Sequence, residues 1–208
     1  MKLATVILAA GQGTRMKSDL PKVLHPIAGR PMVAYVLDTA LALGDDRPTL
    51  VVGYQADRVR AAIGDRARYV DQPEQRGTGH AVMQTRAALE GHAELVLVLY
   101  GDTPFVSVET LRAMLDTHAQ ADATITLLTF RPPDALRYGR IIRGGSGQVI
   151  NIVEYKEATP EQLAIREVNS GMLCFKADWL WSHLAQLKPQ HGHNEYYLTD
   201  LVALAAAE

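Results

Sequence analysis

Cysteine is nearly missing from this chain: Cys174 stands alone among 208 residues, so no intrachain disulfide can form. It lies in the apolar run Met172-Leu173-Cys174-Phe175, where a buried thiol in a core strand is expected rather than a nucleophile or metal ligand. Long apolar runs are missing too. None approaches the roughly 20 residues needed to cross a bilayer, and Gly11-Gln12-Gly13 interrupts the N-terminal run too early for a signal-peptide core. A cytoplasmic protein is therefore expected. Excess charge of one sign is also absent: 21 Lys and Arg against 23 Asp and Glu leave a formal charge of −2. With no basic stripe interleaved with aromatics, a nucleic-acid or anionic-membrane partner is disfavoured. Internal repeats and low-complexity stretches do not occur. The remainder, 48% hydrophobic and 21% charged, suits one large domain with a substantial core.

The order of apolar segments predicts an α/β fold. Ala4–Ala10 is continuously apolar, as a central parallel strand should be. A long loop spans Gly11–Gly29, and Pro31 opens a helix over Met32–Leu43 that Gly44 ends. Strands are expected at Thr49–Gly53, Arg68–Asp71, Leu95–Leu99 and Ala123–Thr129. Helices fall between them at Ala56–Ile63, from a Thr78 cap to Leu89, and from a Ser107 cap onward. Beyond Arg131, Tyr138–Ile142 and Val149–Tyr155 read as a hairpin around Gly144-Gly145-Ser146-Gly147. Ser170–Phe175 returns to core-strand character, with helices at Ala177–Leu187 and Leu198–Ala207. The expected architecture is a three-layer, Rossmann-like sheet, mixed but mostly parallel, with a small β insertion.

The chemistry concentrates after the strands. Leu8-Ala9-Ala10-Gly11-Gln12-Gly13-Thr14-Arg15-Met16 feeds a strand into a glycine-rich loop, where Gly11 and Gly13 let backbone amides approach phosphate oxygens. It is not a Rossmann fingerprint, since Met16 stands where a third glycine is required, nor a Walker A loop, since no Gly-Lys-Ser/Thr follows. Arg15 and Lys22 carry charges suited to such oxygens, and Pro21 restrains the backbone before Lys22; a solvated role for Lys22 stays open. Asp102 follows a central strand, at the edge where parallel sheets place ligands. It suits either Mg²⁺ or an ordinary turn. Gln72 can pair with a base edge through its amide, and Gly77 and Thr78 can offer backbone groups at a helix start, or merely form a turn and cap. His80 is given a structural role. Gly139, Glu154 and Asn169 lie near later strand ends, where neutral amides and carboxylates can meet sugar hydroxyls.

The segments LAAGQGTRM, SDLPKVLHPIAGRPM, QRGTGHA, YGDTPFVSVETL, YGRIIR, IVEYKEAT, VNSGMLCF and NEYYLTD run in order across essentially the whole chain. Together they resemble the uridylyltransferase domain of the bacterial bifunctional N-acetylglucosamine-1-phosphate uridyltransferase/glucosamine-1-phosphate acetyltransferase family. The opening motif alone marks only the wider nucleotide-sugar pyrophosphorylase group. The resemblance implies transfer of UMP from UTP to N-acetylglucosamine 1-phosphate, giving UDP-N-acetylglucosamine for cell-wall and lipopolysaccharide synthesis, and pyrophosphate. It implies nucleotide contacts from Leu8, Ala9, Ala10, Gly11 and Gly13, uracil recognition around Gln72, Gly77 and Thr78, and nucleotide-side and metal-side roles for Tyr100, Gly101 and Asp102. Sugar contacts would come from Gly139, Glu154 and Asn169, with Thr199 lining the same cleft. Arg15 and Lys22 would compensate phosphate charge, and Mg²⁺ would sit on Asp102.

By the same resemblance, an asparagine metal ligand lies beyond the EYYLTD helix, and an acetyltransferase β-helix that trimerises the enzyme follows; no residue here matches either. The expectation is a shortened, monomeric catalytic domain. Another sugar-1-phosphate nucleotidyltransferase, or a nucleotide-sugar-binding protein without turnover, are the alternatives. Substrate binding is expected to survive better than catalysis, and calorimetry that detects no UTP binding contradicts that expectation.

Overall fold

A computed structural model describes residues 1–189 and 194–208. In chain order come β1 (Leu3–Ala9), a two-residue hairpin β2 (Pro26–Ile27) and β3 (Arg30–Pro31), α1 (Met32–Ala42), β4 (Thr49–Val52), α2 (Ala56–Ile63) and β5 (Arg68–Asp71). Then follow α3 (Gly77–Gln84), α4 (Arg86–Leu89), β6 (Leu95–Tyr100), α5 (Val108–Gln120), β7 (Ile125–Phe130), β8 (Arg140–Arg143) and β9 (Val149–Val153). The chain closes with α6 (Pro160–Leu163), β10 (Val168–Lys176), α7 (Ala177–His183) and α8 (Asp200–Ala207). No helix among the described residues is long and apolar enough to cross a membrane.

The main sheet is ordered β5-β4-β1-β6-β10-β8-β9, with β7 paired to β10. Its first half is parallel, β1 lying between β4 and β6; β10 then runs antiparallel to β6, β7 and β8, so the sheet is mixed. Two apolar layers sandwich it. On β6, Val96 and Val98 face a cluster containing Ala81, Trp181 and Leu201 from α3, α7 and α8. Leu97 and Leu99 face the opposite cluster, with Leu37, Val59 and Leu111 from α1, α2 and α5. Alternation along a strand thus supplies both faces at once. Cys174 is buried in the second cluster, and burial pushes its thiol up to about 12, as expected for an inert core residue.

Several expected boundaries shift for physical reasons. The long loop after β1 contains single 3₁₀ turns at Thr14–Met16 and Lys22–Leu24, the second anchored by buried Val23 and Leu24. The helix expected from a Thr78 cap to Leu89 begins at Gly77 without a side-chain cap and breaks at Thr85, whose hydroxyl donates to the Val82 carbonyl at 2.7 Å. Thr78 does not cap it: its oxygen accepts instead from the Leu198 amide at 3.0 Å. The last helix starts at Asp200, because the residues just before it are bonded to the Gly77–Gly79 turn. Ala177–Leu187 divides into α7 and a 3₁₀ turn at Leu184–Gln186. Sequence reasoning passed over α6, although Thr159 and Gln162 form a full capping box.

The small antiparallel end of the sheet is tied by charge. Glu167 is buried and accepts from Arg143 (2.6 and 2.9 Å) and from the Thr129 hydroxyl (2.8 Å), joining β8, β7 and the start of β10. The Arg143 guanidinium chiefly holds the Glu167 carboxyl down to about 2. A depressed folded-state value stabilises the fold above the ordinary carboxylate range and is lost as pH falls toward the folded value. Glu167→Gln should therefore cost on the order of 2 kcal/mol at pH 6, measured by denaturant titration. The gap to the unsubstituted protein should close as pH drops from about 4.5 to about 2; a gap independent of pH would remove Glu167 from this role.

Candidate active site

β1 and β6 end side by side. Leu8 stands opposite Tyr100, and the Gly101 amide donates to the Leu8 carbonyl at 2.9 Å, so two loops leave the sheet together. Between them opens a cavity of about 280 Å³. It is lined by Leu8, Ala9, Ala10, Gly11, Gly13 and Lys22 from the first loop and by Gln72, Gly77, Thr78, Tyr100 and Asp102 from later segments. Sequence reasoning missed Val23, Gln75, Ala81 and Glu195, which also line it. Gln75 donates to the Ala10 carbonyl at 2.9 Å, a contact 65 positions apart that no local pattern announces.

Gly13 is required where it stands. Its φ is +72°, and a Cβ there would lie 2.5 Å from Lys22 Cβ. The bare backbone lets the Lys22 stem cross the loop, and its ammonium forms an ion pair with the Asp102 carboxylate. Both side chains keep solvent access, at 40% and 22% exposure, so either can exchange its partner for a ligand. Gly101 is less tightly confined: a Cβ would meet Val23 at 3.1 Å and the Leu8 carbonyl at 3.2 Å. Arg15 is exposed on the 3₁₀ turn and does not line the cavity.

The Arg76–Gly79 turn beside the cavity is clamped by the segment before α8. Tyr196 N donates to the Arg76 carbonyl (2.8 Å), Gly79 N donates to the Tyr196 carbonyl (2.8 Å), and Leu198 N donates to Thr78 (3.0 Å). Arg76 covers the Tyr196 ring, 5.1 Å from its centroid. Gly77, at φ +90°, leaves no room for a side chain, since a Cβ would sit 2.6 Å from the Tyr196 carbonyl. The Gln72 amide nitrogen faces the Gly77 carbonyl and the His80 ring, each at 3.1 Å.

A second polar group gathers across Tyr100. A Cβ on Gly171 would reach the Tyr100 ring at 2.6 Å, so the ring packs closely against that glycine at the bulge in β10. Beside it, Asn169 N donates to the Gly139 carbonyl at 2.9 Å, and the Asn169 side-chain oxygen accepts from Gly171 N at 2.9 Å, leaving its NH₂ to donate. A Cβ on Gly139 would stand 3.4 Å from the Glu154 carboxylate, to which Thr199 is hydrogen-bonded. Burial raises the Glu154 carboxyl, with the Glu157 and Asp200 charges adding to it. Burial also raises the Tyr100 phenol, reinforced by Glu154 and Asp102, so Tyr100 stays a neutral hydroxyl between two carboxylates and bonded to Thr78. Gly139, Glu154, Asn169 and Thr199 thus converge. Arg140, only 3% exposed, orders the approach to Gly139 by donating to the Ala135, Leu136 and Tyr138 carbonyls.

Among the described residues no three His, Cys, Asp or Glu side chains cluster as a ready metal cage. The carboxylates on the cavity wall are Asp102 and Glu195. One or two carboxylates completed by water and phosphate is a donor set that suits Mg²⁺.

A family model described as the MobA-like NTP transferase domain matches residues 5–200. A curated relative, the bifunctional protein GlmU of Geobacter metallireducens, is 49% identical over 205 residues, covering 98% of this chain and 43% of that protein. The bifunctional protein GlmU of Pelotomaculum thermopropionicum is 48% identical over 204 residues, covering 98% and 45%. The chain therefore spans less than half the length of these relatives. Among solved structures, UDP-glucose pyrophosphorylase complexed with UDP-glucose superposes with a TM-score of 0.78 at 21% identity, over 100% of this chain and 88% of that one. An apo UDP-glucose pyrophosphorylase gives 0.78 at 19%, with the same coverage. At such identities the likeness is one of fold, a nucleotide-diphospho-sugar transferase fold with a mixed sheet.

The clamp can be tested through its glycine. Gly77→Ala should lower stability by roughly 2–3 kcal/mol, since strained φ and a steric clash add. Gly91→Ala, at φ +75° with open space around it, should cost less. Thermal melts of the two variants compare them directly, and equal losses would mean that the Tyr196 contact contributes nothing.

Proposed function

The chain belongs to the MobA-like NTP transferase family, and from that premise we propose that it transfers UMP from UTP to N-acetyl-α-D-glucosamine 1-phosphate, releasing pyrophosphate. The reading is carried by one arrangement: a cavity holding the Lys22–Asp102 pair, with an amide-bearing base wall on one side and the Gly139, Glu154, Asn169 and Thr199 group on the other. Identity near half with the GlmU relatives over 98% of this chain supports the choice of substrates.

In the proposed reaction, a phosphate oxygen of the sugar phosphate attacks the α-phosphorus of UTP. A bond forms from that oxygen to the α-phosphorus, the bond to the bridging oxygen of the β-phosphate breaks, and the electron pair leaves with pyrophosphate. The attacking monoester is already ionised near neutral pH, so alignment and charge compensation do the work rather than a strong base. Amides of the Gly11–Gly13 loop approach the triphosphate, with Leu8, Ala9 and Ala10 beneath the nucleoside. Lys22, released from Asp102, turns its ammonium to the phosphates, and Arg15 reaches in from the rim to the departing pyrophosphate. Gln72, Gly77 and Thr78 hold the uracil, while Tyr100 and Gly101 separate nucleotide from sugar. Glu154 and Asn169 take sugar hydroxyls and the acetamido group beside Gly139, and Thr199 steadies Glu154. Asp102 would hold Mg²⁺ together with substrate phosphates and water; the ion, when bound, draws charge off the phosphoryl oxygens and helps align them.

The proposal places the enzyme in the cytoplasm, where its nucleotide substrate is made. In a protein of the relatives' full length, the remaining half would carry the acetyltransferase and trimerise.

Pyrophosphate release from UTP plus N-acetylglucosamine 1-phosphate should be Mg²⁺-dependent and faster than with glucose 1-phosphate. Equal or greater release with glucose 1-phosphate would assign a different sugar. Asp102→Ala should lower turnover by about 10²-fold or more while moving the melting temperature by only a few degrees. A normal rate in that variant would take Asp102 out of the mechanism.

A further inference from the structure

We propose that Arg140 is a positioning residue for the sugar acceptor: it turns the Tyr138–Gly139 peptide so that the Gly139 amide presents a hydrogen-bond donor to the sugar. This rests on the uridylyl-transfer reading and adds to it a residue that touches neither substrate. Arg140 is 3% exposed and opens β8, standing opposite Val153 of β9 and Val168 of β10. Its guanidinium donates only to main chain. Nη1 donates to the Ala135 carbonyl at 3.3 Å and to the Tyr138 carbonyl, and Nη2 to the Leu136 carbonyl at 3.1 Å. Nε reaches toward the Leu163 carbonyl at 3.5 Å. Every acceptor it meets among the described residues is thus a carbonyl rather than a carboxylate. A buried guanidinium without a counter-ion is costly to keep, but its planar fork can hold several carbonyls in one fixed arrangement.

Alternation along the strand puts Arg140 on the face opposite to Gly139 and Ile141. The Gly139 side is the sugar side. A Cβ on Gly139 would meet Ile152 at 3.1 Å and the Glu154 carboxylate at 3.4 Å, and Ile141 and Ile152 share one apolar layer. The Tyr138 carbonyl is drawn to the guanidinium, and no peptide bond here is cis, so the Gly139 N–H of the same planar unit points away from Arg140. That N–H is unpaired. Gly139 is buried and its carbonyl accepts from Asn169 N at 2.9 Å, yet its amide meets no acceptor among the described residues. Buried main-chain donors are nearly always paired, so an unpaired one beside Glu154 and Asn169 calls for a ligand oxygen. A sugar hydroxyl or the acetamido carbonyl supplies one. Glycine resists peptide rotation little, so without the guanidinium the Tyr138 carbonyl is free to turn, and the donor is lost with it.

The test compares KM for N-acetylglucosamine 1-phosphate and for UTP in the unsubstituted protein, Arg140→Met and Arg140→Lys. Arg140→Met keeps an unbranched stem and removes every donor. Its KM for the sugar phosphate should rise about tenfold while its KM for UTP stays within about twofold. Arg140→Lys retains a charged donor for the Tyr138 carbonyl and should recover part of that loss. Equal rises in both KM values of Arg140→Met, or no rise for the sugar phosphate, overturn the proposal while leaving uridylyl transfer standing. An unsubstituted protein with no turnover on this acceptor overturns both. Should Arg140→Met not fold, amide hydrogen exchange in the unsubstituted protein, labelled with ¹⁵N-glycine, decides. Exchange at Gly139 slowed by UDP-N-acetylglucosamine but not by UTP supports the proposal. Exchange there that the sugar nucleotide leaves unchanged, or that UTP slows as much, overturns it.

Discussion

In the parallel register of β1 against β6, Leu8 stands opposite Tyr100 and its carbonyl accepts from Gly101 N. The glycine loop and the Tyr100–Asp102 segment, some ninety positions apart, therefore leave the sheet as neighbours. The pairing is continuous from Leu3 opposite Leu95 to Leu8 opposite Tyr100, so the two strands end level. Lys22 reaches Asp102 with its stem packed against Gly13, where a Cβ would collide with it. The charged pair at the centre of the cleft is thus a consequence of sheet register and one missing side chain.

The second constraint is the backbone clamp from Tyr196 to Leu198 across the Arg76–Gly79 turn. It gives the Gly79 amide, in the first turn of α3, an acceptor, and it holds the turn beside Gln72. Sheet and clamp together close the cleft on two sides with main chain. Tyr100 divides what remains, packed against Gly171 and kept neutral by burial, with the charges of Glu154 and Asp102 reinforcing it.

The parallel half of the molecule was legible because continuous apolar runs followed by glycine or Asp loops leave few other arrangements; β1, β4, β5 and β6 fall within a residue or so of expectation. Local capping was less legible, since side chains have competing partners. Thr78 looks like a helix cap, yet it serves Leu198 from 120 positions away. The turn after β10's start was readable only as apolar, although the bulge there, with Gly171 at φ +88°, decides where Tyr100 and Asn169 lie. Arg15, singled out for its charge, stands exposed outside the cavity, while Gln75 and Glu195, unremarked in sequence, line it.

By itself the sequence determined composition-level facts and local geometry: a thiol too isolated to crosslink, strands apolar enough to be central, and glycines where the chain must turn or pass close to a neighbour. It also carried the family's motifs in order, and with them the chemistry to expect. Only the tertiary structure decided which of those residues meet. Partners such as Lys22 and Asp102, Gly139 and Asn169, or Tyr196 and Gly79 are tens of residues apart, and their contact depends on strand register and backbone hydrogen bonds that no local window contains. The orientation of the Gln72 amide belongs to the same class, since its nitrogen is turned toward the Gly77 carbonyl that folding brings to it.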